Sequence, residues 1–302
     1  MTEEYPAPLV RPCDPDELIV TDAMRAEVFW CLRRYSSLAY ANRAAELLRG
    51  FLGGFEAWAR QAPPARTGFS RQVLKTMYAY LAAFEEAPGE LLGNRASRGY
   101  DALERAAFLC EIEGPAFDGG GPWFEFGYGG RVRPSTGLYA WAERAVDMAT
   151  RIRFTVRAEW AYTRILSEGP PEAFRPRRFP PGLEPLPAPH GPTIATGEVV
   201  PITGVWVPVD VANGCPNFLV ANNRAPELTV EAQRVDTPAW PGSPEEPARP
   251  ATVEYVYTSR PTSWRLAWED IRYRTGVEPD ESEFLDEDNA LPAWRPVHPL
   301  PS

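Results

Sequence analysis

The sequence predicts an α+β protein: an N-terminal helical bundle, a proline-rich connector and a C-terminal, mainly antiparallel β region. Three observations carry that expectation. Apolar residues recur at three- and four-residue steps through residues 1–168, the helical period. Nine prolines fall within residues 169–192, a density that neither a helix nor a central strand tolerates. From residue 193 to residue 302 the period shortens to two, and turn residues separate runs of β-branched and aromatic side chains.

The first helix has a start signal at Asp14-Pro15-Asp16-Glu17, with an acid at the cap, proline at the first helical position and glutamate at the third. Met24, Val28, Leu32 and Tyr35 then share a face. Residues 41–58 place Leu47, Leu48, Phe51, Phe55 and Trp58 on a second helix, weakened by Gly50, Gly53 and Gly54. Residues 70–84 align Val73, Met77, Tyr80, Leu81 and Phe84. Residues 100–112 turn Leu103, Ala107 and Cys110 inward before Gly114-Pro115 stops the helix. After Pro134-Ser135, the steps of Leu138, Trp141, Ala145, Met148 and Ile152 predict a long helix running to Leu166. Amphipathic helices of this number and length make a bundle.

The connector is expected to be extended, semi-stiff and laid over the surface. Beyond it, residues 198–210 alternate around Val205, Trp206 and Val207, with Gly204 marking a bulge or bend. Residues 217–221 and 228–232 are short strands separated by the turn pair Asn222-Asn223. Residues 252–258 (Thr-Val-Glu-Tyr-Val-Tyr-Thr) form the clearest strand. Residues 262–274 fit a strand through Trp264, Leu266 and Trp268, or a helix face through Trp264, Trp268 and Ile271; a strand is expected.

Charge excludes whole classes of partner. The net charge is −10, and Lys75 is the only lysine among 31 basic residues. That balance has the wrong sign for nucleic acid or an anionic membrane surface and suits a basic protein. No apolar run is long enough to span a membrane, and the acidic start Met1-Thr2-Glu3-Glu4 is unlike a secretory signal, so a cytoplasmic location is expected. Cys13, Cys31, Cys110 and Cys215 are scattered without a CxxC and are expected to be reduced thiols.

The residues of catalysis are sparse. His190 and His298 both sit in proline-flanked stretches and are expected at the surface. Cys31 and Cys110 lie on apolar helix faces and read as buried small hydrophobes. Cys215, in Asn213-Gly214-Cys215-Pro216-Asn217, is the one loop cysteine that could be a nucleophile. There is no HExxH, zinc-spaced Cys/His pair or EF-hand loop, so no metal and no cofactor is expected. The glycine runs Gly119-Gly120-Gly121-Pro122 and Gly127-Tyr128-Gly129-Gly130 lack a phosphate-loop ending. The Trp123-Phe124-Glu125-Phe126 between them either touches a partner or tucks under the bundle; the second is expected. Carboxylates are plentiful, yet nothing singles out a catalytic pair.

The strongest local anomaly lies near the C-terminus, where Glu278, Asp280, Glu281, Glu283, Asp286, Glu287 and Asp288 make seven acids in eleven residues without a base. The bland reading is a solvated, self-repelling loop. The sharper one is a docking surface: Asp280, Glu281, Glu283, Asp286, Glu287 and Asp288 steer a basic partner, and Trp264 and Trp268 anchor it.

Two blocks resemble a known family. Thr196-Gly197-Glu198-Val199-Val200-Pro201, Thr203-Gly204-Val205-Trp206-Val207-Pro208, Cys215-Pro216-Asn217-Phe218-Leu219 and Ala225-Pro226 are similar to the immunity-protein families numbered 71 and 72 of bacterial polymorphic-toxin systems. Thr262-Ser263-Trp264-Arg265-Leu266-Ala267-Trp268-Glu269-Asp270-Ile271-Arg272-Tyr273 looks like their Trp-rich block, followed by an acidic Gly-x-x-Pro segment, here Gly276-Val277-Glu278-Pro279. The helical half ahead of these blocks fits too, so the resemblance spans most of the chain. Asn222-Asn223-Arg224 departs from it, standing where a small or glycine-rich turn is expected. The resemblance implies a non-enzymatic cytoplasmic antitoxin that binds a cognate toxin domain and occludes its active site. Its target would be a nuclease, deaminase or nucleotide-consuming enzyme, with the acids favouring a basic nuclease. It supplies no catalytic residues. The competing expectations are a hydrolase that reverses a toxin's modification and an adaptor or chaperone for a secreted effector.

Overall fold

The computed structural model describes residues 7–13, 19–61, 68–113, 136–167, 175–176, 178–242 and 248–285. The start signal at Asp14-Pro15-Asp16-Glu17 lies outside them, and the first described helix, α1 (Asp22–Tyr35), begins later. Thr21 is extended there, and its hydroxyl accepts a hydrogen bond from the Met24 N–H at 3.2 Å, a short-side-chain cap. α2 (Leu38–Gln61) follows after Ser36 and Ser37, whose hydroxyls return to the carbonyls of Leu32 and Arg34 at 2.7 Å. Gly50 does not break α2. A Cβ there would lie 1.5 Å from the Trp141 ring, so its bare backbone lets that indole lie against the helix.

α3 (Gly68–Leu92) runs past its expected end at Phe84 and through Pro88, with Ala87 and Leu91 buried on either side. A turn at Asn94, whose φ of 57° is left-handed, reverses the chain into α4 (Ala96–Glu113). α5 (Thr136–Val156) stops ten residues short of the expected Leu166. Ala158 adopts φ 55°, and the N–H groups of Ala158 and Glu159 bond back to Thr155 and Phe154 at 3.1 and 2.9 Å, a Schellman ending without glycine. The chain then makes the single turn α6 (Tyr162–Ile165). α2, α3, α4 and α5 pack on one another, and α1 lies against α5.

The fold class expected from the sequence holds: helices are followed by antiparallel sheets. β1 (Leu9–Pro12), which precedes all the helices, pairs with β5 (Leu228–Thr237), and β5 pairs with β6 (Thr252–Arg260). A second sheet has the order β2-β7-β3-β4, from β2 (Thr193–Ala195), β3 (Gly204–Pro208), β4 (Asn217–Leu219) and β7 (Ser263–Glu269). β1 and β2 were not expected; three or four residues carry too little alternation to register. The turn expected at Asn222-Asn223 is present, with Asn222 at φ 71°.

β3 is buried along both faces. Val205 joins the helical core, which also takes Cys215, Phe218, Val220, Tyr273 and Phe284. Trp206 belongs instead to a second core with Ile194, Leu228, Val230, Trp264 and Leu266. The bulge expected near Gly204 sits one position on and across the ladder. Val205 pairs with Trp268 and Trp206 with Leu266, leaving Ala267 as the extra residue of β7. An extra residue inverts the alternation beyond it. Trp264 and Leu266 therefore enter the second core, while Trp268 turns to the helices and meets Phe29 edge-on at 5.9 Å. The described connector residues Phe179, Leu183 and Leu186 pack on the helical core, and Trp30 contacts Phe179 at 5.5 Å.

One buried amide joins helix to sheet. Asn217 accepts from the Trp160 N–H and donates to the Trp160 carbonyl, both at 3.0 Å, and also donates to the Cys215 carbonyl at 3.3 Å. It thereby satisfies the backbone just after α5, where the helix has ended and no ladder has begun.

Candidate functional site

Residues 270–285 leave β7 and cross back over α2 and α1, and alternate side chains divide between interior and solvent. Asp270 is fixed by its N–H to the Thr203 carbonyl at 2.8 Å. Arg272 grips both of its carboxylate oxygens through Nε and Nη2, each at 2.8 Å, the planar fork that arginine offers a carboxylate. The remaining donors reach the Arg33 carbonyl and Ser36 Oγ at 2.8 Å and Glu281 Oε1 at 3.2 Å. Tyr100 donates to Asp270 at 2.8 Å and Tyr273 to Glu281 at 2.7 Å. Asp270, Arg272 and Glu281 are all nearly buried, so two carboxylates and one guanidinium sit between sheet and bundle with their polar atoms paired.

This cluster also completes α2. The first N–H groups of a helix have no partner within it. Here Leu38 donates to the Tyr273 hydroxyl at 2.8 Å, Ala39 to Glu281 Oε2 at 3.0 Å and Tyr40 to Ser37 Oγ at 3.2 Å. The Glu281 carboxylate thus stands at the positive end of the α2 dipole.

Burial alone would push the Asp270 carboxyl up. The Arg272 charge and the hydrogen bonds from Arg272 and Tyr100 outweigh it and hold Asp270 below the ordinary carboxylate range. Burial, reinforced by the Asp270 charge, pushes the Tyr100 phenol well above its usual value and keeps it a donor. A depressed native carboxyl gives stability that is fully present above the unfolded pKa of about 3.9 and is lost as pH falls through the lower native value. Urea midpoints of the wild type and Asp270→Asn should therefore differ most near neutrality and converge below about pH 4. A gap unchanged between pH 7 and pH 3 would show that the Asp270 charge does not matter.

Outside the cluster the same segment faces water. Ile271 and Val277 are 54% and 67% exposed, and Glu278, Asp280, Ser282 and Glu283 are exposed with them. Asp280 caps the short 3-10 turn Ser282–Phe284 by accepting from the Ser282 N–H at 3.0 Å. Phe284 points inward against Trp30, and Glu283 pairs at 3.3 Å with Arg33, whose guanidinium lies among the rings of Phe29, Trp268 and Phe284.

No protein-family model, curated protein or solved structure matches this chain. Its own geometry therefore carries the reading of the site.

Of the residues expected at a docking surface, Asp280 and Glu283 are exposed on this segment. Trp264 is fully buried, its indole N–H donating to the Pro226 carbonyl at 2.9 Å. Trp268 is partly buried on the helical core, and Glu281 is committed to Arg272, Tyr273 and Ala39. These three are internal because the bulge diverts one indole and the α2 N-terminus recruits one acid. Asp286, Glu287 and Asp288 lie outside the described residues, as do His298 and the loop carrying Trp123-Phe124-Glu125-Phe126.

Cys215 is buried, and burial pushes its thiol well above the usual range, so it is held protonated. His190 is exposed. Among the described residues no group of three or more His, Cys, Asp or Glu is placed to hold a metal ion, and no helix is long and apolar enough to cross a membrane. The sequence reading missed Asp270, Arg272, Tyr273 and Tyr100. A signal was present in Asp270-Ile271-Arg272-Tyr273, where two opposite charges two residues apart border an aromatic block.

Proposed function

We propose that this chain is a cytoplasmic immunity protein that binds a cognate toxin domain and blocks it by occlusion, using the surface of residues 271–283. The observation that supports this reading is the anchoring of an acidic segment. Glu281, Tyr273 and Phe284 lock it to the bundle from beneath, while Ile271, Val277, Glu278, Asp280 and Glu283 stay outside. A loop that served only to be solvated needs no such anchors. Fixed acids around exposed apolar side chains give a basic partner both steering and contact area without an ordering cost at binding. The resemblance of the β-region blocks to immunity proteins supports the same reading. Ile271 and Val277 take the anchoring role that the sequence suggested for the tryptophans.

The test is coexpression with the toxin domain encoded beside this chain in its genome. A one-to-one complex is expected, in which the toxin is inactive and regains activity on separation. A complex in which the toxin stays active would overturn the reading in favour of an adaptor. Within the complex, Glu278→Lys with Asp280→Lys should slow association by about tenfold or more at low salt, with less effect at high salt. The urea midpoint of the free variant should be unchanged, because neither acid is buried. Glu281 is left intact in this test because α2 needs it.

A further inference from the structure

The sheet β1-β5-β6 is only half covered. Leu228, Thr229, Val230 and Glu231 of β5 are buried, but most of β6 is open on both faces. Thr252, Val253, Glu254, Val256, Thr258 and Ser259 are exposed, with Val253 at 49% and Val256 at 47%. β6 pairs with β5 along one edge. Its other edge makes no backbone hydrogen bond among the described residues. Natural edge strands are usually shortened, broken by proline or a bulge, or guarded by lysine. β6 has nine residues, Thr-Val-Glu-Tyr-Val-Tyr-Thr-Ser-Arg, with no proline and no lysine, and the one irregularity of this ladder leaves the extra residue, Ala232, on β5. Its two charged side chains, Glu254 and Arg260, stand near opposite ends, and neither has an ion-pair partner among the described residues.

We propose that β6 is a self-association edge: two copies of the chain pair β6 with β6 antiparallel, about a two-fold axis at Tyr257, into one six-stranded sheet. The strand's own charges select this partner and this register. With Tyr257 opposite its counterpart, Glu254 of each copy faces Arg260 of the other, Tyr255 faces Ser259 and Val256 faces Thr258. Both free charges are then neutralised twice over, and no like charges meet. On one face the two ion pairs flank two Val256–Thr258 contacts; on the other the tyrosines meet at the axis. A slip of one residue would set opposite faces together, and a slip of two would leave Glu254 opposite an uncharged residue. The pairing also removes the exposed edge, as isologous contacts do. This inference is independent of the toxin-binding reading and concerns a different surface.

The experiment is sedimentation of the full chain from about 1 to about 100 μM, a range that spans micromolar dissociation constants. A reversible dimer is expected. Glu254→Arg and Arg260→Glu should each weaken it by about tenfold, since each converts both symmetric pairs to like charges. The double variant carrying both changes should restore wild-type dimerisation. Deuterium exchange of residues 252–260 in the wild type should slow as concentration rises. Should a single variant misfold by circular dichroism, the exchange result on the wild type decides. A wild type that stays monomeric across the range, as it would if this edge served a strand from another protein, overturns the proposal. So does a dimer indifferent to both single changes, or one that the double change fails to restore.

Discussion

Arg272→Met should destabilise the protein by about 3–5 kcal/mol, the cost of removing one member of a buried ion cluster. Methionine fills much of the volume but leaves Asp270 and Glu281 facing each other without the guanidinium that both now share. It also strips partners from the Arg33 carbonyl and Ser36, at the corner where α1 turns into α2. Urea denaturation at pH 7 measures the effect. The triple variant Asp270→Asn, Arg272→Met, Glu281→Gln should recover part of the loss, because the buried charges go together and their desolvation goes with them. A single variant within about 0.5 kcal/mol of wild type would mean that water reaches the cluster and screens it.

Gly204→Ala should cost about 3 kcal/mol, at the upper end of overpacking penalties. The added Cβ would stand 2.0 Å from the Trp268 carbonyl oxygen and 3.0 Å from its carbon. Both are backbone atoms, so no rotamer change relieves the clash. β3 and β7 must part at the bulge, which loosens the Val205–Trp268 pairing that ties sheet to bundle. Gly53→Ala on exposed α2 is the control: open space surrounds its Cβ, and it should stabilise by about 0.5–1 kcal/mol through helix propensity. Equal midpoints for the two variants would refute the close-approach argument.

Much of the architecture was legible in the chain because it depends on local period. Helices α2 to α5 and strands β3, β5, β6 and β7 lie where apolar residues repeat at the right spacing. The misses arise where a distant residue overrules that period. α5 ends at Val156 because Asn217, far along the chain, holds the Trp160 backbone. Trp264 and Trp268 share a parity but not a face, because Ala267 is the extra residue against β3. The acids of residues 278–283 read as one charged run, yet Glu281 is drawn inside by the unpaired N–H groups of α2, some 240 residues earlier. Composition can locate such a run; only the fold can sort its members into those that hold the protein together and those free to meet a partner.

The pairing of β1 with β5 sets a timetable for biosynthesis. Val10 lies opposite Val235, so the first strand to leave the ribosome must wait for more than two hundred further residues before its ladder can form. At about 5–20 residues per second that delay is roughly 10–50 s, long enough for the intervening helices to collapse on one another first. The bundle is thus built around a tethered, unpaired strand, and closure of the three-stranded sheet becomes a late event with a large loop-closure entropy.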